Sequence, residues 1–491
     1  TSNGEDISIG FDWRPTMMAN SARDPYWQAG VRREVMDHPE SKALIEDECA
    51  TCHMPMARYE SRQRGHEGAV FAHLPFDPGK QEDRLAADGV SCSLCHQIGK
   101  QKLGTRESFV GGFVIDPPAA SGERPEYGPY EIDAGLARVM RSSSRGFKPV
   151  EAPHIRQSEV CATCHTLITR AIAPDGKLLG EFPEQVPYQE WLHSEYRETR
   201  SCQSCHMPPV EGEVPISSVL GKPRAGVARH SFVGGNFFML GILNRYRGEL
   251  GVEALPSEMS SAIERTLAHL KSEAAALTLK TAALSSGRLV FELAVENNGG
   301  HKLPTAYPSR RVWLHVTVRD AGGRAVFESG GVEPSGAIRG NDNDADATRF
   351  EPHYTEITSE GQVQIYESVM SDNGGRVTTA LLHAVRYLKD NRLLPRGFDK
   401  QTAGPEIAVA GDAARDDSFK APGDTVRYSV DLKGAQGPYR IEAELRFQPI
   451  SYRWAENLKR YDAEETRRFT RYYESMSAQS STVLASLSAT R

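Results

Sequence analysis

Eight cysteines constrain this chain more than any other feature of its 491 residues. All eight fall within four copies of the pattern C-x-x-C-H, and all four copies lie in the first half of the chain. The cysteines are Cys49, Cys52, Cys92, Cys95, Cys161, Cys164, Cys202 and Cys205, and the histidines that follow them are His53, His96, His165 and His206. Since residues at i and i+3 share one face of a helical turn, each motif can present two sulfurs and one imidazole to the same bound group.

The repeated motif favours haem over zinc, redox dithiols and structural disulfides. C-x-x-C-H is the attachment signature of c-type haem, whose iron takes the motif histidine as its proximal ligand. A zinc site more often pairs two C-x-x-C groups, or adds two histidines three to five residues apart. A redox dithiol needs a single motif, and structural disulfides do not require an adjacent histidine. We therefore expect four covalently bound haem c groups, each held by two cysteines and one proximal histidine.

Composition limits the partners of this chain. Hydrophobic residues make up 39% and charged residues 25% of the sequence, as in ordinary globular proteins. The formal net charge of −7 argues against a nucleic acid partner, which would require a basic surface. The apolar run at residues 237–243 is far shorter than the roughly 20 residues of a membrane span, and we expect it in the core.

We expect an exported protein. The sequence begins at Thr1 rather than at a methionine, which is consistent with removal of an export signal. Covalent haem attachment in bacteria takes place outside the cytoplasm, which indicates a periplasmic or extracellular location. No transmembrane segment is predicted, although association with a membrane through a partner protein is compatible with the sequence.

The sequence pattern divides the chain into four segments. Residues 1–245 hold all the motifs and show little periodicity, so we expect a mostly helical and irregular domain packed around the haems. Residues 246–285 connect it to the next domain through an amphipathic helix predicted over 256–279. Residues 286–450 contain short alternating strands and Gly-rich turns, which predict an immunoglobulin-like antiparallel β-sandwich. Residues 451–491 are predicted as a C-terminal helix, and the fold class is therefore α+β.

Several motifs together resemble a known family. The four C-x-x-C-H copies, the segment CQSCHMP at 202–208 and the segment HSFVGGN at 230–236 resemble multihaem c-type cytochromes related to the tetrahaem cytochrome of ammonia-oxidising bacteria. The segment GHKLPT at 300–305 is similar to a loop of larger relatives with an attached β-domain. The resemblance implies closely packed haems that pass electrons, with most irons bound by two histidines. It also implies that His230 is a second axial ligand and that His301 lies on a loop that faces a haem.

Position along the chain suggests further second ligands. His154 and His193 lie shortly before the third and fourth motifs, where the fold can bring them over a neighbouring haem. His73 lies between the first two motifs, and His66 is its rival for the same role. The histidines of the predicted helix and β-domain are expected to be packed or surface residues rather than ligands; they are His269, His315, His353 and His383.

A second, weaker metal pattern lies in the predicted β-domain. Asp342, Asp344 and Asp346 match positions 1, 3 and 5 of a calcium loop. Ala347 stands where that pattern expects glycine, and His353 stands where it expects glutamate. The segment therefore predicts either a bound calcium ion or a solvated acidic turn.

Two functions of different class are compatible with these features. The first is a tetrahaem cytochrome that carries electrons between redox partner proteins, and the absence of an evident nucleophile–base pair or phosphate-binding loop favours it. The second is a multihaem oxidoreductase in which one iron lacks a second side-chain ligand and binds a small nitrogen or sulfur oxyanion. The chain has no C-x-x-C-K motif, so the haem attachment variant of nitrite reductases is absent.

Overall fold

The computed structural model describes residues 4, 6–119, 122–144, 146–173, 175–217 and 219–491. Thr1, on which the expectation of a removed export signal rests, lies outside these residues. The described chain mixes helices with several small and two larger sheets, which agrees with the predicted α+β class.

The first half of the chain is built from short helices joined by loops. Its α-helices are Ile9–Trp13, Pro25–Asp37, Lys42–His53, Pro55–Gln63, Gln81–Ala87, Cys92–Cys95, Ala134–Ser143, Ser158–Ala162, Pro187–Leu192, Cys202–His206, Phe237–Arg245, Arg247–Leu250 and Pro256–Glu273. Local sequence sets where such helices begin. The Asp24 side chain accepts hydrogen bonds from the backbone of Tyr26 and Trp27, and Pro25 has no N–H to leave unsatisfied in the first turn.

Three two-stranded sheets lie among these helices. The strands pair as Arg124–Gly128 with Phe147–Glu151, Leu167–Ile172 with Leu178–Gln185, and Glu213–Pro215 with Pro223–Ala225. The first pair is parallel and the other two are antiparallel. These strands are only three to eight residues long.

The second half forms two larger sheets. The four-stranded sheet has the order Glu356–Ile357, Gly423–Asp431, Arg288–Asn297, Ala275–Ser285. The seven-stranded sheet has the order Val377–Thr378, Ile365–Ser371, Arg311–Arg319, Arg440–Gln448, Thr482–Thr490, with Ala325–Ser329 and Arg386–Asp390 added beside Arg311–Arg319 and Ile365–Ser371. All of these pairings are antiparallel except that of Glu356–Ile357 with Gly423–Asp431.

The alternation of apolar residues correctly predicts the long strands. Leu289, Phe291, Leu293 and Val295 alternate along their strand, and all four are fully buried. Since successive side chains of a strand point to opposite faces, this face is directed into the main apolar core. An immunoglobulin-like arrangement of the two sheets stays a prediction.

The predicted helix over 256–279 is too long. The helix ends at Glu273, and residues 275–285 form a strand paired with Arg288–Asn297. Leu277, which continues the helical spacing, is instead a buried strand residue. Sheet pairing therefore decides the conformation of an alanine-rich segment whose intrinsic preference is helical.

The predicted C-terminal helix is in fact two helices and a strand. The helices are Tyr452–Leu458 and Glu464–Met476, and the strand Thr482–Thr490 completes an edge of the seven-stranded sheet. The second helix packs against Pro25–Asp37, where Arg32 Nε lies 2.8 Å from a Glu465 oxygen and the rings of Tyr26 and Phe469 are 4.8 Å apart. The end of the chain thus binds the two halves together.

The apolar helix Phe237–Arg245 lies inside the protein. Its residues Phe238, Met239, Ile242 and Leu243 are buried in the main core, as expected from sequence. Within the part of the chain that the structure describes, no helix has both the length and the hydrophobicity of a membrane span.

Candidate cofactor cavity

All four cysteine motifs open onto one cavity of about 1510 Å³. The lining includes every cysteine and histidine of the motifs, together with three further histidines, His230, His269 and His301. It also includes Leu303 and Arg310 of the second half. Typical sites for one small molecule are about 300–1,000 Å³. This cavity is larger than such a site and can hold a larger bound group.

Short helical turns hold the cysteine pairs. Two motifs coincide with the helices Cys92–Cys95 and Cys202–His206, and the first ends the helix Lys42–His53. Ser201 caps the last of these turns by accepting a hydrogen bond from the backbone of Ser204. All eight cysteines are free thiols, so the motifs are not consumed by disulfides.

Thiols from different motifs lie side by side. The Cys52 side chain is hydrogen-bonded to that of Cys164, which raises the pKa of Cys52 and lowers the pKa of Cys164. A second contact of this kind joins Cys161 to Cys202. The third motif is therefore in direct contact with both the first and the fourth.

Backbone carbonyls orient three of the four motif histidines. In each case Nδ1 is the bonded nitrogen, at 3.1 Å for His53 to Ser21 O, 2.6 Å for His96 to Tyr127 O, and 2.5 Å for His206 to Val233 O. An imidazole that donates from Nδ1 keeps the lone pair on Nε2, and such a bond fixes the ring of a metal ligand. The three histidines are thus prepared to bind a metal through Nε2.

Burial favours the neutral form of five cavity histidines. It lowers the pKa of His53, His165 and His230 to about 4 in each case. Burial also lowers the pKa of His206 and His301. Since only the neutral imidazole can ligate a metal, these side chains are ready for coordination at neutral pH.

Two motif histidines face other histidines across the cavity. The ring centres of His96 and His230 are 6.3 Å apart, and those of His206 and His301 are 6.2 Å apart. Two imidazoles on opposite sides of one metal ion have ring centres about 6 Å apart, because each metal–nitrogen bond is about 2 Å and each ring centre lies about 1 Å behind its nitrogen. Both pairs fit this geometry.

His206 has a second neighbour at a similar distance. The ring of His269 lies 6.4 Å from that of His206, at an angle of 53° between planes compared with 14° for His301. Burial lowers the pKa of His269, a residue that the sequence argument places among packed or surface histidines. Helical spacing is the sequence signal that could have placed His269 at the cavity. His269 lies three residues after Thr266, a buried residue that also lines the cavity, so both are on the same face of the helix.

Three histidines proposed from sequence are not among the described residues that line the cavity. His73 Nδ1 lies 2.8 Å from a carboxylate oxygen of Asp83. His154 Nε2 is 2.8 Å from Ile98 O, and His193 Nε2 is 2.9 Å from Asp399 O. The structure therefore does not bring these three side chains to the cavity, whereas it does bring His230 and His301 there.

A buried carboxylate anchors the loop that carries His301. One oxygen of Glu190 accepts hydrogen bonds from Lys302 N at 3.1 Å and Thr305 Oγ1 at 2.5 Å. The other oxygen lies 2.9 Å from Arg392 Nη1. Glu190 belongs to the helix Pro187–Leu192 of the first half, so it joins the halves at the loop.

A buried ion pair holds the next residue of that loop. Lys302 Nζ is 2.7 Å from an oxygen of Asp390, and Arg392 Nη2 lies 2.7 Å from the same oxygen. The side chains of these three residues are almost completely buried. Because charges in such surroundings are costly unless paired, the network fixes Lys302 and with it the adjacent His301.

Comparison with known proteins finds a match in structure rather than in sequence. No protein-family model and no curated protein matches the chain. A crystal structure titled as a penta-heme cytochrome c552 from Thermochromatium tepidum superposes with a TM-score of 0.53 at 15% sequence identity. The match covers 100% of this chain and 97% of that chain. The chain shares the fold of a multihaem c-type cytochrome.

This shared fold extends over both halves. The two sheets of the second half fall within the matched region, together with the helices that hold the motifs. The likeness is therefore not confined to the half of the chain that carries the motifs.

The acidic segment after residue 340 gives no support to a calcium site. Asp344 Oδ1 is 2.9 Å from Arg311 Nη1, and Asp342 Oδ2 is 2.5 Å from Arg349 Nη2. Asp346 accepts hydrogen bonds from the backbone and hydroxyl of Thr348. The carboxylates are thus occupied by cations and by the turn itself.

Proposed function

We propose that this chain is a tetrahaem c-type cytochrome that transfers electrons between redox partner proteins. The observation that carries the proposal is the convergence of four complete C-x-x-C-H motifs on one cavity in which motif histidines face further histidines. The shared fold supports it, although the matched structure is titled as a penta-heme protein and this chain has four motifs.

Each group would be held by residues already described. The eight cysteines would form the thioether bonds, and the four motif histidines would be the proximal ligands. We assign His230 as the second ligand opposite His96, and His301 as the second ligand opposite His206. A haem iron bound by two histidines supplies one-electron exchange without binding substrate.

The protein itself contributes orientation, exclusion of water and proximity. The carbonyls of Ser21, Tyr127 and Val233 hold three imidazoles in place, and burial keeps imidazoles neutral. Contact between the thiols of the first, third and fourth motifs places their attachment points next to one another. Such proximity is what stepwise electron transfer requires.

We further propose that the protein acts outside the cytoplasm, in the periplasm or the extracellular space. Covalent attachment of haem to exported chains supports this location. Its partners would be redox proteins, and any contact with a membrane would be made through one of them. The negative net charge favours partners with a basic docking surface.

Mass spectrometry tests the haem assignment directly. The denatured protein, produced with a c-type haem maturation system, should exceed the polypeptide mass by four haem groups. Its electron paramagnetic resonance spectrum should contain low-spin signals for at least the irons of His96 and His206. A mass without covalent haem, or with bound zinc instead, would refute the proposal.

One observation favours a second function, a multihaem oxidoreductase acting on a small nitrogen or sulfur oxyanion. Among the described residues, neither His53 nor His165 faces a second histidine as His96 and His206 do. Burial raises the pKa of Glu184, a cavity residue, to about 7, which suits a group that donates and accepts protons. A high-spin resonance signal that changes on addition of nitrite or sulfite would support this function over the carrier.

A further inference from the structure

Arg310 is a cation in the cavity without an anionic partner among the described residues. It follows the His301 loop, lines the cavity and is half-buried. Its Nη1 donates to Thr305 O and its Nη2 to Asn236 Oδ1, both at 3.0 Å. Both acceptors are neutral, and they use only two of the five N–H donors of a guanidinium.

Three buried arginines of this protein are paired with carboxylates. Arg33 lies 2.6 Å from Glu34, Arg311 lies 2.9 Å from Asp344, and Arg392 contacts Asp390. A charge removed from water is costly unless it is paired. Arg310 differs from these three arginines because both of its acceptors are neutral.

The surroundings of Arg310 increase the need for a negative charge. Burial alone lowers the pKa of Arg310 to about 10. Its charge also contributes, after burial, to the lowered pKa of His165, His206 and His301. The guanidinium thus lies close to three imidazoles that would carry irons, and no described carboxylate is bonded to it.

We propose that Arg310, with Asn236 beside it, forms an oxyanion-binding site of the cavity. The planar guanidinium fork matches carboxylates and small oxyanions, which it can bind with two parallel hydrogen bonds. Two sources supply this chemistry: a propionate group of a bound haem, or a free oxyanion such as nitrite or sulfite. The inference rests on the proposed function, because the cavity is taken to hold haem.

Redox titration of the holoprotein distinguishes the two sources. The variants are Arg310→Gln and the control Arg106→Gln, which removes a charge that lines the same cavity but is paired with Glu181. Potentials of all haems are measured between pH 5 and pH 8, with and without added nitrite or sulfite. Only samples whose mass shows four haems enter the comparison.

A propionate partner predicts a new pH dependence in Arg310→Gln. Without the guanidinium, the pKa of that buried carboxylate would rise, and one haem potential would change with pH over this range. A free oxyanion instead predicts a saturable shift of the wild-type spectrum or potential by nitrite or sulfite, with at least tenfold weaker binding in Arg310→Gln. The control should show neither effect.

A simple loss of positive charge would only lower a nearby potential at every pH. That result, without new pH dependence and without an oxyanion effect in the wild type, would overturn the inference. If Arg310→Gln does not fold, Arg310→Met replaces it, since methionine also removes the charge and has an unbranched side chain. The same outcomes are then expected of that variant. Wild type lacking four haems would instead refute the proposed function.

Discussion

At the residue scale, the geometry around His96 gives the simplest assignment. Its Nδ1 is held by Tyr127 O, and His230 lies across the cavity at 6.3 Å between ring centres. His230→Ala should therefore convert one haem from low-spin to high-spin and leave the others unchanged, as seen by electron paramagnetic resonance. His154→Ala is the matched control, because His154 is not among the described residues that line the cavity, and its Nε2 is bonded to Ile98 O. A spectrum of His230→Ala equal to that of the wild type would contradict the assignment.

His206 offers a choice between two ligands. His301 is held by a rigid loop, with its own carbonyl bonded to Asn297 Nδ2 at 2.7 Å, whereas His269 lies on the helix Pro256–Glu273. A ligand whose backbone is held in place by hydrogen bonds keeps its position relative to the metal, which favours His301 over His269. We expect His301→Ala to create a high-spin haem and His269→Ala to leave all spin states unchanged. The opposite result would transfer the assignment to His269.

Glu184 gives a pH-dependent prediction. Burial raises its pKa to about 7, while an exposed glutamate titrates near 4.3. Between these values the folded state binds more protons than the unfolded state, so stability falls as pH rises and the loss is complete above pH 7. Glu184→Gln should therefore stabilise the holoprotein at pH 8 by up to about 3 kcal/mol and have little effect near pH 4. Urea unfolding at both pH values measures the difference, with the exposed Glu181→Gln as control; equal effects at both would refute it.

At the element scale, the alternation of apolar residues predicts strands that bury one face. Strands such as Arg288–Asn297 alternate in burial because one face meets the core. The strand Ala275–Ser285 was missed because alanine and leucine there also fit a helix, and only pairing with another segment decides. The strand Thr482–Thr490 lies within the range predicted as a C-terminal helix, and it pairs with Arg440–Gln448. Local signals therefore predict element type where burial is one-sided, and fail where a partner strand decides.

Within the candidate site, too, some residues can be predicted from the sequence and others cannot. The cysteine motifs are evident from sequence because attachment chemistry requires adjacent residues. His230 and His301 were identified by resemblance, and both line the cavity. His269 was missed, and His73 and His193 were proposed from chain position, which says little about position in space. Second ligands depend on tertiary packing, so spacing along the chain cannot select them.

The His301 loop is an element whose position depends on Glu190. Glu190→Gln would keep the size of the side chain but weaken its contacts with Lys302 N, Thr305 and Arg392. We expect a loss of about 1–3 kcal/mol in unfolding free energy and a partly high-spin signal from the haem of His206. The control is Glu195→Gln, an exposed residue that pairs with Arg396. If Glu190→Gln has the same unfolding free energy and the same resonance spectrum as the wild type, the loop does not need this anchor.

At the scale of the whole molecule, the cavity is shared by two halves of different construction. The first half supplies the motifs on short helices, and the second supplies His301, Leu303 and Arg310 from loops beside its sheets. Contacts through Glu190 and through the helix Glu464–Met476 connect the halves. The second half therefore forms part of the wall of the cavity.

The two histidine pairs divide differently between the halves, and this leads to a prediction about the whole molecule. His96 and His230 both belong to the first half, whereas His206 and His301 lie in different halves. Loss of the fourth covalent group, by Cys202→Ser with Cys205→Ser, should therefore remove a link between the halves. Loss of the second group, by Cys92→Ser with Cys95→Ser, should disturb only the first half.

Limited proteolysis separates these two outcomes. With the fourth group absent, the segment 246–285 should be cleaved faster than in the wild type, since local opening exposes backbone to the protease. This segment contains the passage from the helix Pro256–Glu273 to the strand Ala275–Ser285. The double variant of the second motif serves as the matched control, because it also lacks two thioether bonds and one haem. Mass spectrometry of the undigested samples confirms that each variant retains three haems. Equal cleavage of 246–285 in the two variants would show that the halves are held by protein contacts alone, and that the histidine pair between them does not contribute to their attachment.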